Sequence, residues 1–220
     1  MRTHPVFLRL EGKRCVVVGG DEPAAGKVRA CLAAGAHVTV IAEAPVAALT
    51  ALVEDGRIAL ERRGYRNGDL AGAVVAYLST RDPATIATLR AEAERERVLL
   101  NVIDVPDACS FFAPAVVARG ALQVAIGTGG ESPALAARLR RDLEGTLGPE
   151  YAPYVAILGA VRRRLAASGE RAAVLGRLVD SDLLAFVRRG ERAAIDRLLV
   201  DVAGEQCTLA RLGVVLDEVA

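Results

Sequence analysis

Four short stretches of this sequence hold residue types whose order suits chemistry. In Gly19-Gly20-Asp21-Glu22-Pro23-Ala24 the glycines permit a tight turn and a close backbone approach, and the small Ala24 lets a helix pack on a strand. A turn of this kind that opens a helix offers N–H groups and the positive end of the helix dipole to a diphosphate. Asp21 departs from the pattern, because it sets a side chain and a negative charge where a glycine would let the phosphates approach. The stretch therefore fits a working dinucleotide site or a fold that has lost one. Glu43 suits acceptance from ribose hydroxyls, which favours NAD over NADP, and equally suits a solvent-facing acid near a helix start. Asp104 follows an apolar run, and Val105-Pro106 keeps a helix from starting there. It is placed to take a proton from a bound substrate or to cap an Asx-type turn. Thr128-Gly129-Gly130-Glu131-Ser132-Pro133 reads as a cradle for an anion or carboxylate, or as a loop with Ser132 as N-cap.

These residues need elements to hold them. Arg14–Val18 is a compact apolar run ending at glycine, which reads as a buried parallel strand. Pro23, near the first helical position, opens a helix through Ala34 that closes at Gly35. His37–Ala42 is the next strand, so strand, glycine turn, helix, glycine and strand make a βαβ unit. The alternation continues with a helix over Pro45–Glu54 and strands over Ile58–Glu61 and Val74–Ser79. An amphipathic helix over Pro83–Arg97 carries Ile86, Leu89 and Ala93 on one face, and a strand over Val98–Ile103 ends at Asp104. The fold class expected from this rhythm is α/β, a Rossmann-type doubly wound parallel sheet. Beyond Pro106 the pattern changes. Val116–Ala118 and Leu122–Ile126 flank Arg119-Gly120 as a hairpin, and a helix runs from Ser132 to Leu147. Helical segments then follow over Tyr151–Ala167, Glu170–Val179, Ser181–Arg189 and Glu191–Val202.

Composition narrows the function classes. The chain has 220 residues, 52% hydrophobic and 25% charged, which is ordinary globular usage. A formal net charge of +1 gives no electrostatic footprint for nucleic acid. Met1–Gly12 holds no long apolar run, so no secretory signal is expected, and the longest apolar stretches are far below the ~20 residues of a membrane span. The cysteines Cys15, Cys31, Cys109 and Cys207 are widely separated, and His4 and His37 lack metal-ligand spacing; no resident metal, no disulfide framework and a cytoplasmic location are expected.

PVFLRLEGKRCVVVGG, LAAGAHVTVIAE and the long run NVIDVPDACSFFAPAVVARGALQVAIGTGGESPALAARLRRDLE together resemble the precorrin-2 dehydrogenase/sirohydrochlorin ferrochelatase family, which includes the amino-terminal module of sirohaem synthase. The likeness covers about residues 5–150. It implies a Rossmann dinucleotide-binding domain over 1–112, a small α+β dimerisation region over 113–150 and a helical C-terminal domain over 151–220. It also implies a homodimer that oxidises precorrin-2 to sirohydrochlorin with NAD; many members also insert ferrous iron, as a substrate. The family's catalytic aspartate falls on Asp104. Its NAD contacts fall on the turn of Gly19, Gly20, Asp21, Glu22 and Pro23 and on Glu43 and Ala44, and its tetrapyrrole loop falls on Thr128, Gly129, Gly130 and Ser132. Thr128 stands where serine is usual, so the hydroxyl is kept. Two departures lie on the phosphate side: Asp21 replaces a third consecutive glycine, and Gly26 replaces an arginine before Lys27. They leave open a chelatase without dehydrogenase activity, or a non-catalytic tetrapyrrole-binding protein with a degenerate NAD site. Arg119 and its neighbours are further candidates to meet the substrate's carboxylates.

Overall fold

Arg14–Val18 forms the central strand β1, and its alternating side chains are buried on opposite faces. Cys15 and Val17 join one apolar cluster, whereas Val16 and Val18 join another. A strand buried on both faces needs parallel neighbours with helices above and below. They are β2 (His37–Ile41), β3 (Ala59–Glu61), β4 (Val75–Leu78) and β5 (Leu99–Val102), in the order β3-β2-β1-β4-β5, all parallel. Helices α1 (Glu22–Ala33), α2 (Ala47–Glu54) and α3 (Pro83–Glu96) make the crossovers. The expected Rossmann-type sheet is present, and each of its strands and helices lies within two residues of the expected boundaries. The structure, a computed structural model, describes residues 3–166 and 168–216.

Successive strands step outward from β1 to β3, and the chain then returns to the other side of β1 for β4 and β5. The point of reversal opens a crevice beyond the carboxyl ends of β1 and β4. The ladder continues one residue past each strand there. Gly19 N donates to Ile41 O at 2.9 Å, Ser79 N to Val18 O at 2.8 Å, Ala42 N to Glu61 O at 3.1 Å and Ile103 N to Leu78 O at 2.9 Å. The loops leaving β1, β2, β4 and β5 therefore start from one level.

The loop between β3 and β4 closes around a buried acid. Glu92, on α3, is fully buried and accepts from Gly68 N (3.0 Å), Leu70 N (2.9 Å) and the Tyr65 hydroxyl. Burial first, and then the Glu92 carboxylate, push the Tyr65 phenol up from its ordinary pKa.

The chain divides into two compact units, Met1–Ala113 and Pro114–Ala220. The second holds the antiparallel hairpin of β6 (Ala115–Arg119) and β7 (Leu122–Ile126), α4 (Pro133–Thr146) and the helices α5 (Tyr151–Arg164), α6 (Arg171–Val179), α7 (Leu183–Arg188), α8 (Arg192–Ala203) and α9 (Leu209–Leu212). Ile157, Leu178, Leu183, Ile195 and Leu199 are among the residues that fill its helical core. The single turn of α9 escaped the sequence reading, because four residues are too few to show a helical period. Ala167, expected as the end of the fifth helix, lies outside the described residues.

Replacing Glu92 by alanine strands the buried Leu70 N–H, releases the Gly68 N–H and the Tyr65 hydroxyl, and is expected to lower stability by about 3 kcal/mol. Urea unfolding measures this; an unchanged midpoint would show that the acid does not hold the loop.

Candidate functional site

The first turn is built by close packing. Gly19 has φ +131°, and a Cβ there would lie 2.7 Å from Ser79 Cβ. A Cβ on Gly20 would lie 2.7 Å from Ala44 O and 2.9 Å from Pro45 Cα. Val46 N donates to Gly20 O at 2.8 Å, which ties the loop after β2 to the turn. Both glycines are thus required by neighbouring loops at the carboxyl edge.

Asp21 has relaxed extended geometry, φ −87° and ψ 176°, and is the N-cap of α1. Its Oδ1 accepts from Ala24 N at 2.9 Å and its Oδ2 from Ser79 Oγ at 2.6 Å. The sequence reading saw the charge and missed both partners. The cap signal was present, since aspartate before Glu-Pro is a helix start; Ser79, 58 residues away, gave none. Glu22 follows in the first helical turn and lies 4.0 Å from Arg29, both exposed. Glu43, also exposed, follows the end of β2 by two residues.

Asp104 lies two residues past β5 at φ +62°, one of two non-glycine residues at positive φ among those described. Aspartate tolerates this left-handed region better than most residues, yet holding it there needs support from its surroundings. The support is local. Buried Asn101 donates from Nδ2 to Phe111 O at 3.0 Å, and Ser110 N donates to Leu100 O at 2.8 Å. Ser110 Oγ accepts from Leu100 N at 2.8 Å, and Cys109 Sγ accepts from Val102 N at 3.2 Å. Burial pushes the Cys109 thiol up, which keeps the proton with which it donates to Val102 O. A 3-10 turn at Pro106–Ala108 closes the loop, so Val105-Pro106 stops an α-helix yet admits a single tighter turn. The Asp104 carboxylate is 72% exposed and faces Arg81 Nη2 at 3.8 Å. Both border an open depression of about 1070 Å³ that also touches Ile86, Arg90 and Val105. Asn101, Cys109, Ser110 and Arg81 were not singled out from sequence, although three of them lie within the run NVIDVPDACS.

In the second unit, Ser132 N-caps α4 by accepting from Leu135 N at 3.2 Å. Thr128 Oγ1 accepts from Ser132 N at 3.2 Å, and Thr128 O accepts from Glu131 N at 3.1 Å. Gly129 at φ +62° and Gly130 at φ +87° turn the backbone between them.

Residues 6–115 match the family described as putative NAD(P)-binding, and residues 119–146 match that described as sirohaem biosynthesis protein, central. The chain belongs to the family described as putative NAD(P)-binding. The siroheme synthase of Methylococcus capsulatus is 35% identical over 161 residues, 73% of this chain and 34% of that protein. That of Azotobacter vinelandii is 39% identical over 159 residues, 72% of this chain and 34% of that protein. For Citrobacter koseri siroheme synthase the figures are 35% over 186 residues, 82% of this chain and 40% of that protein. The chain thus spans between 34% and 40% of the length of these relatives. The solved structure of SirC, precorrin-2 dehydrogenase, has a TM-score of 0.69 at 23% identity, covering 89% of this chain and 100% of that one, a likeness of fold.

The residues at the switch point fit a dinucleotide in most respects. The glycine turn leads into a 12-residue helix, the crevice opens beside it, and an exposed acid follows β2. The fit requires the Asp21 side chain to give up Ala24 N.

Arg119 has a different role from the one expected. Its Nε donates to Leu147 O at 2.8 Å and its Nη2 to Glu144 O at 3.1 Å, so the guanidinium closes the last turn of α4. Replacing Arg119 by alanine should cost about 1–2 kcal/mol of stability and leave affinity for a carboxylated tetrapyrrole unaltered. Urea unfolding and calorimetry check the pair; weakened tetrapyrrole binding at unchanged stability would reverse the assignment.

Proposed function

We propose that this chain oxidises precorrin-2 to sirohydrochlorin, with NAD⁺ as oxidant and Asp104 as the proton acceptor. The observation that carries the reading is Asp104 itself, an exposed carboxylate in left-handed backbone at the carboxyl edge of an NAD(P)-binding sheet. Left-handed backbone held by a net of hydrogen bonds, at an exposed carboxylate on this edge, supports a functional role. Siroheme synthases and a precorrin-2 dehydrogenase among its relatives and structural neighbours support the choice of substrate.

Bound NAD⁺ supplies the hydride acceptor. The macrocycle loses one hydride and one proton, and the Asp104 carboxylate takes the proton. Arg81 Nη2 lies 3.8 Å from that carboxylate. Gly19, Gly20, Asp21, Glu22 and Pro23 would hold the diphosphate of the cofactor, and Glu43 and Ala44 its adenosine ribose. Thr128, Gly129, Gly130 and Ser132, at the N-terminus of α4, are assigned to carboxylates of the tetrapyrrole.

Purified protein given precorrin-2 anaerobically is expected to form sirohydrochlorin only when NAD⁺ is added, followed by absorbance. Asp104→Asn keeps the shape and the tolerance for left-handed backbone, and should slow the reaction about 100-fold or more with NAD⁺ affinity retained. Parent rates in that variant would refute the base. The Asp21 contacts favour a second reading, insertion of ferrous iron without help from a dinucleotide. Iron and sirohydrochlorin, supplied with no NAD⁺, test it; chelation expels two pyrrole protons, for which Asp104 is again the acceptor.

The proposed assembly is a homodimer through the second unit. Among the described residues its sheet is the β6–β7 hairpin alone, whose outer edges can pair with a second copy. Val116 on β6 and Leu135 and Leu139 on α4 are exposed apolar side chains nearby in sequence. Sedimentation is expected to give twice the 23.1 kDa chain mass, and a monomer at micromolar concentration would overturn the proposal. No helix among the described residues is long and apolar enough to cross a membrane, and the proposed location is the cytoplasm.

A further inference from the structure

The two oxygens of Asp21 are both engaged, and by different loops. Oδ1 holds the Ala24 N–H at the start of α1, and Oδ2 holds the Ser79 hydroxyl at the end of β4. The side chain therefore spans the crevice at the point where the sheet order reverses. A diphosphate seated there would seek the same two donors and would bring like charge against the carboxylate. We propose that Asp21 is an internal occupant of the phosphate position, a gate latched by Ser79, and that a dinucleotide enters only when this side chain swings out. The inference rests on the dinucleotide reading of the site and adds to it the residue that sets its affinity.

Three features make such a gate workable. The Asp21 backbone is relaxed, so the side chain can leave by rotation about χ1 without refolding the turn. Gly19 and Gly20 are fixed by their neighbours, so the turn keeps its shape whether the gate is open or shut. Departure of the side chain frees one backbone donor and one hydroxyl donor, each able to pass to a phosphate oxygen. The adenosine end, beside Glu43, is untouched by the exchange.

Calorimetry on the full chain separates charge from capping. Asparagine is as good an N-cap as aspartate and carries no charge, so Asp21→Asn should fold as the parent does, by circular dichroism. It is expected to bind NAD⁺ at least tenfold more tightly, with affinity for adenosine, which has no phosphate, unaltered. Raising ionic strength from about 0.02 M to about 0.5 M screens repulsion. It should strengthen NAD⁺ binding relative to adenosine in the parent and lose that effect in Asp21→Asn. NAD⁺ binding the parent and Asp21→Asn alike would overturn the gate and leave the dinucleotide site standing. Equal tightening for NAD⁺ and adenosine would also overturn it, since charge on the phosphates would then play no part. NAD⁺ binding to neither of these nor to Asp21→Gly would overturn both the gate and the dinucleotide reading.

Discussion

Parallel strands run in one direction, so every connection returns across the whole sheet and every strand delivers its next loop to the same edge. In this protein that constraint is visible as a row of backbone hydrogen bonds one residue past the strands, at Gly19, Ala42, Ser79 and Ile103. Four charged residues of the candidate site hang within two positions of that row: Asp21, Glu43, Arg81 and Asp104. A loss of register in any one strand would move its residue relative to the other three. The buried clusters on the two faces fix the register, because a slip by one residue would turn Val16 and Val18 toward the face packed by Val17.

Asp104 shows how the edge becomes a site. The strand brings it to the right level, and the left-handed backbone then turns it out of the ladder. That conformation has a cost for any residue with a side chain. It is offset by partners drawn from the same short run, with Asn101 and Ser110 binding backbone on either side and Cys109 inserted between Val102 and Val105. Glu92 does the same for the loop before β4, where a single carboxylate satisfies three donors. In both places a polar side chain inside the unit replaces missing sheet partners.

The strands and helices of the first unit were legible because their signals are local: β-branched runs, Pro after an acid at helix starts, Gly at helix ends. Asp104 was legible as a carboxylate at a strand end before proline. Its left-handed backbone was not, since no local rule distinguishes it from an Asx cap. Ser79 as a partner of Asp21 was out of reach for another reason. The pairing depends on β1 and β4 lying side by side, a fact of topology that the order of residues does not display. Arg119 misled for a related reason, because an arginine beside a glycine turn reads as free until the end of α4 is seen to pack against it.

The turn at Gly19 carries a more general point about glycine motifs. Gly19 is held by contact with Ser79, and Gly20 by contact with Ala44 and Pro45. Those glycines are demanded by the meeting of three loops, with or without a bound dinucleotide. The third position differs. Its backbone lies in ordinary extended geometry, where a Cβ is tolerated, and its side chain points at the helix N-terminus and the crevice. A glycine there serves the ligand alone, and an aspartate there competes with it. The first two residues of the motif therefore report the fold, and the third reports what the fold will bind.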